Sequence, residues 1–108
     1  PIIVGHRGMK LNVVKQGNDL PTSFRLHPAY PNPFNPETTI RFDVNEPAEV
    51  VIKVFRINGR EVETLVNSYL NTGNYNVTWN ATKYPSGIYF IKMNSSIYSA
   101  TEKVILLK

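Results

Sequence analysis

The chain has 108 residues, the size of one domain, and a domain of that length buries roughly two thirds of the surface its unfolded chain exposes. It has no cysteine, which excludes a disulfide framework, a thiolate metal site and a cysteine nucleophile; the compartment stays open, because secreted proteins also fold without disulfides. The net charge of +4 admits a polyanionic partner, yet Lys and Arg are spread thinly with no run, so a solvated, mildly basic surface is expected and no nucleic acid. No stretch is long and apolar enough for a membrane-spanning helix and no signal peptide is visible. With Pro1 in first place rather than Met, the expectation is a C-terminal piece of a longer protein.

Residues 1–19 hold a Gly5-His6-Arg7-Gly8 turn and then Leu11 and Val13 alternating with Lys10 and Asn12. That alternation predicts a strand near 9–15, which pairs with the domain or is the last strand of a preceding module; residues 16–19 read as a turn or linker, and the domain proper as 20–108. Tyr30-Pro31-Asn32-Pro33-Phe34-Asn35-Pro36 places three prolines in seven residues, a stiff, non-helical surface ribbon. Immediately after it Ile40, Phe42 and Val44 alternate with Thr39, Arg41 and Asp43, the signature of a half-buried strand.

Strands then follow at short, regular intervals. Residues 45–48 form a turn, and Val50, Ile52 and Val54 supply the inward face of the next strand. Asn58-Gly59 between two extended runs predicts a type I′ hairpin, with a return strand ending near Val66. Tyr75, Val77 and Trp79 alternate with polar residues, which makes Trp79 the expected core tryptophan. A loop at 83–87 leads into a strand near 89–93, residues 94–96 make a hairpin, and a last strand runs from about 98 to 107. With no helical periodicity over any window of 11 or more residues, the pattern predicts an all-β, immunoglobulin-like antiparallel β-sandwich of seven to eight short strands.

Residue types argue against catalysis and cofactors. His6 and His27 are the only histidines, and neither has a second His or a Cys to complete a zinc or general-base site. Ser86-Gly87 lacks the surrounding pattern of a nucleophile elbow and reads as a turn residue before a left-handed glycine. Asp43, Asn45 and Glu46 offer oxygens for calcium without the spacing of an EF-hand loop. Three sequons, at Asn76, Asn80 and Asn94, are taken as composition. Of the aromatic residues, Tyr84 and Phe90 are the expected exposed rings, on which an accessory carbohydrate-binding or adhesion module would rely; a purely structural spacer is a third reading.

Residues 20–26, the Tyr30 to Pro36 run and Thr38-Thr39-Ile40-Arg41-Phe42 resemble the start of the C-terminal sorting domain of the type IX (Por) secretion system, type A. The resemblance continues through Asn58-Gly59-Arg60-Glu61-Val62, Tyr75-Asn76-Val77-Thr78-Trp79-Asn80, Ser86-Gly87-Ile88-Tyr89-Phe90 and the terminal Glu102-Lys103-Val104-Ile105-Leu106-Leu107-Lys108. One departure is residues 25–29, where that family more often has a Gln-Asn pair before the tyrosine. The resemblance implies the same sandwich fold and a non-catalytic signal that carries an N-terminal cargo from the periplasm across the Gram-negative outer membrane to the surface or beyond. It also implies as partners the translocon and a sortase-like protease that removes the domain within or before residues 16–22, with anionic lipopolysaccharide a possible attachment point for the cargo. Recognition would fall on Gly87, Tyr89, Lys103, Val104, Leu106 and Lys108, by edge pairing of the last strand with a receptor; the alternative is that Val104 and Leu106 simply complete the sheet, and both can hold at once, since a strand can bury one face and offer the other.

Overall fold

A computed structural model describes residues 21–108 and, by their backbone, residues 14–16. His6 with its turn, the part of the anticipated strand before Val14, and residues 17–20 lie outside the described residues. The strands are β1 (Val14–Gln16), β2 (Arg25–Leu26), β3 (Glu37–Val44), β4 (Ala48–Arg56), β5 (Glu61–Leu70), β6 (Gly73–Asn80), β7 (Gly87–Ser95) and β8 (Tyr98–Leu106). They form two four-stranded antiparallel sheets, β1-β6-β3-β2 (sheet A) and β5-β4-β7-β8 (sheet B). This is the immunoglobulin-like sandwich, with β5 on the β4 side.

Period-two alternation builds the core. In sheet A, Ile40 lies opposite Val77 and Phe42 opposite Tyr75, whose rings stack at 5.5 Å. In sheet B, Ile52 lies opposite Met93, Val54 opposite Ile91, and Tyr89 opposite Val104. All of these face the other sheet and are buried, as are Val44, Val50, Trp79 and Leu106. Because one face of every long strand is apolar, a one-residue slip would turn each of these side chains to water, which fixes the register.

The turns differ from expectation in three places. The 57–59 loop is not a type I′ turn: the Gly59 amide donates to the Arg56 carbonyl and the Arg56 amide to the Arg60 carbonyl, both at 2.8 Å, and only Gly59 has positive φ, at 88°. That is a three-residue loop closed by a glycine bulge, in which Asn58 Oδ1 accepts from the Arg60 amide at 3.0 Å. β5 runs on to Leu70 rather than ending near Val66, with residues 67–70 in regular register against β4, and two register shifts earlier in the strand bulge out Leu65 and Val62. Gly87 has φ of 154°, outside the left-handed helical region.

Candidate functional site: the motif pole and the outer faces

The antiparallel registers gather the distant sequence motifs at one end of the sandwich. Glu37 opening β3 lies opposite Asn80 closing β6, Gly87 opening β7 opposite Leu106 closing β8, and Arg56 closing β4 opposite Tyr89. The Gly59 loop, the 81–86 connection, the end of β8 and the proline ribbon therefore share this pole.

The ribbon is held at almost every step. Tyr30 and Thr39 exchange both backbone hydrogen bonds, at 3.0 and 2.9 Å, Thr38 Oγ1 donates to the Pro31 carbonyl at 2.7 Å, and the Ala81 amide donates to the Pro36 carbonyl at 2.8 Å. The X-Pro bonds to Pro31, Pro33 and Pro36 are all cis. Asn32 lays its amide along β8 like a strand residue: Nδ2 donates to the Lys103 carbonyl at 2.9 Å and Oδ1 accepts from the Ile105 amide at 3.0 Å. One step on, the Phe34 amide donates to the Ile105 carbonyl at 2.9 Å and the Leu107 amide to the Phe34 carbonyl at 3.0 Å. The expectation of a surface ribbon is thus corrected at Phe34, which is 3% exposed and plugs the core 5.4 Å from the Trp79 ring centre. Asn35 and Pro33 face solvent.

Trp79 is the hub beneath the ribbon, with Phe34, Tyr84 at 5.8 Å and Tyr89 edge-on at 5.3 Å around it. Its Nε1 donates to Glu63 Oε1 at 3.2 Å, and the Tyr84 hydroxyl donates to the same oxygen at 3.0 Å. Desolvation, reinforced by the Glu63 carboxylate, pushes the Tyr84 phenol up to about 12. Tyr84 is therefore not the exposed ring anticipated: half-buried, with Trp79 and Tyr89 tilted against it and the Lys83 ammonium over its ring at 5.7 Å, it closes the edge of the core. The Tyr89 hydroxyl donates back to the Pro85 carbonyl at 2.6 Å, the tyrosine corner of immunoglobulin-like folds.

The last strand divides its residues between two faces. Val104 and Leu106 are buried, while Lys103 and Ile105 alternate to the outside. Edge pairing of this segment with a receptor was expected from the sequence; the edge is already occupied, because Asn32 and Phe34 take its outward hydrogen-bonding groups from the Lys103 carbonyl to the Leu107 amide. What β8 offers is its outer face. Opposite one another on it stand Ile88 and Ile105, Phe90 and Lys103, and Phe55 and Phe90, all partly exposed or exposed. Phe90 is accordingly a half-buried member of an apolar patch rather than an isolated ring. The chain end is tied beside it: the Lys108 amide donates to Ser86 Oγ at 3.0 Å and its Nζ to the Thr82 carbonyl.

Elsewhere the candidates disperse. His27 Nε2 donates to Asp43 Oδ2 at 2.9 Å, Glu46 is exposed, and Asn45 Oδ1 is buried without a partner; among the described residues no three His, Asp or Glu converge as a metal site. Asn80 is used locally, accepting from the Thr82 amide at 2.9 Å and donating to Glu37 at 3.1 Å. Asn32 and Glu63 have no counterpart among the sequence-derived roles. Asn32 was visible only as part of a motif, and nothing near Glu63 in sequence signals a carboxylate under a tryptophan.

Among curated proteins and among solved structures, no match is found. A family model described as "Secretion system C-terminal sorting domain" matches residues 28–107, a span that opens at the ribbon and closes at the β8 end it covers. The chain belongs to this family, the C-terminal sorting signals of type IX secretion.

Proposed function

We propose that this domain is a non-catalytic address label whose recognition surface is the outer face of β7 and β8 at the motif pole. In this reading Lys103, Ile105 and Lys108, with Ile88 and Phe90, meet the translocon, while Gly87, Tyr89, Val104 and Leu106 act from beneath by holding that face in shape. The observation that supports it is that the ribbon and the Trp79 cluster both serve to fix the end of β8 with its outer side free. Residues 20–108, with β1 added at the edge of sheet A, form the sorting unit and the residues before β1 lead to a cargo, whose release by a sortase-like protease within or before residues 16–22 precedes anchoring to anionic lipopolysaccharide or free secretion.

The test is a fusion of residues 1–108 to a periplasm-exported reporter in a host with an active type IX system. Removing residues 102–108 alone would confound recognition with folding, because Val104 and Leu106 are core residues. Lys103→Glu and Ile105→Asp, both on the outer face, are the informative variants. Expected is surface reporter for the parent and periplasmic retention of the variants with unaltered thermal unfolding. Export of folded variants at the parental level would refute the assignment of this face.

A further inference from the structure

The outer face of sheet A, opposite to the surface just described, carries a second feature. On β3 the residues alternating with buried Ile40, Phe42 and Val44 are Thr39, Arg41 and Asp43, and the chain beside them brings Tyr30 against Thr39 and His27 against Arg41. Two adjoining recesses open here, one of about 350 Å³ lined by Pro28, Tyr30, Thr39 and Arg41, the other of about 230 Å³ reaching His27, Asp43 and Asn74. Arg41 borders both.

Three properties distinguish this groove from an ordinary solvated sheet face. The Arg41 guanidinium has no hydrogen bond or ion pair among the described residues, and the neighbouring carboxylate, Asp43, is engaged by His27 at 2.9 Å. The Tyr30 ring is 80% exposed, yet its backbone is locked to Thr39 in both directions, so a flat aromatic face is displayed on a rigid mount. The His27 amide donates to the Arg41 carbonyl at 2.9 Å, which fixes the wall between the recesses. The backbone beneath the ring is thus ordered before any ligand arrives, and only the side-chain torsions of Tyr30 remain to be fixed on binding.

We propose that this groove binds an acidic saccharide, with the carboxylate of a uronic-acid-type sugar held by Arg41 and a sugar ring laid on Tyr30. A guanidinium offers two parallel donors that match a carboxylate, and an aromatic face accepts the apolar C–H side of a pyranose. Thr39 supplies a hydroxyl for the sugar's ring hydroxyls. Asp43 beside the fork disfavours a doubly charged phosphate and leaves room for a single negative charge.

The experiment is a two-dimensional NMR titration of the 108-residue chain with trigalacturonate, with a neutral trisaccharide of the same length, and with inorganic phosphate. Saturable shifts centred on Tyr30, Thr39 and Arg41 are expected with trigalacturonate, and binding of the neutral sugar weaker by about tenfold, the loss of one charge-assisted contact. Arg41→Gln should bring the acidic sugar down to the neutral level and leave the neutral one unchanged; Tyr30→Ala should weaken both, and neither should move the thermal transition. Free and lipid-borne sugars are separated by vesicles bearing an acidic glycolipid: capture that soluble trigalacturonate competes away points to a membrane source, and binding of trigalacturonate without vesicle capture to a free polysaccharide. No saturable shift, equal affinity of Arg41→Gln and parent, preference for phosphate, or capture by sugar-free anionic vesicles would each overturn the proposal.

Discussion

The two outer strands of sheet B solve the problem of an unpaired edge differently. The C-terminal half of β8 is sealed by a segment brought from about seventy residues earlier, with Asn32 and Phe34 acting as a partial extra strand. Among the described residues β5 has no strand on its far side; two bulges against β4 break its regularity, one of the devices by which natural sheets discourage edge-to-edge association. The lesson is that covering an edge and merely disturbing it have different costs in sequence. A bulge asks for no particular residue, whereas the cover of β8 demands an amide of one length at Asn32 and a plug of one shape at Phe34.

The contrast breaks most directly at Phe34. Phe34→Ala removes a buried ring from the Trp79 cluster and should cost about 3–5 kcal/mol in urea unfolding, whereas Tyr69→Ala on β5, 57% exposed, should stay within about 0.5 kcal/mol. A loss under about 1 kcal/mol at Phe34 would mean that the ribbon rests on the core without belonging to it. Asn32→Ala leaves the Lys103 carbonyl and the Ile105 amide to water and should cost about 1–2 kcal/mol, with faster hydrogen exchange at Ile105 and none of that acceleration in β5.

Alkaline titration sharpens the comparison at the same pole. The Tyr84 phenol lies near 10 in an unfolded chain and is pushed up to about 12 by burial and Glu63, so folding holds its proton more tightly. That contribution is full below pH 10 and is lost as the pH climbs through about 12. Ultraviolet titration should show late-ionising tyrosines, of which Tyr84→Phe removes one while Tyr75, pushed up by burial, remains. The smallest change is at the far pole, where Ser96 sits at φ of 54° beside Ile97, 99% exposed. Ser96→Gly relieves that backbone and should raise stability by at most about 1 kcal/mol, leaving exchange at Ile105 untouched.

Most strands were legible because burial of one face writes itself as alternation: Ile40, Phe42 and Val44, or Tyr75, Val77 and Trp79, announce their faces without any partner being known. What stayed hidden depends on partners remote in sequence. Phe34 lies between turn-forming residues with no periodic neighbour to mark it as core, and the pairing of Glu63 with Trp79 and Tyr84 spans two sheets. The 57–59 loop was misread because Asn-Gly suits two turn types, and the Asn58 side chain, bonded to Arg60, belongs to the one observed. At the outer faces, single residues such as Arg41 and Ile105 take on meaning only once neighbouring strands place others beside them.

The stitching of Asn32 and Phe34 to β8 has a consequence in time. Strands β3 and β6 can pair as soon as both exist, and the ends of the ribbon can then bond to Thr39, Thr38 and Ala81, but Asn32 and Phe34 in its middle have no partners until Lys103 to Leu107 have been delivered. Contacts that close such a long loop form late. The sandwich therefore behaves as a gauge of its own completeness: a chain cut short within β8 would lose core residues Val104 or Leu106 together with the partners of Asn32 and Phe34, leaving the middle of the proline run open to proteases, and only the finished strand locks the two ends of the domain together.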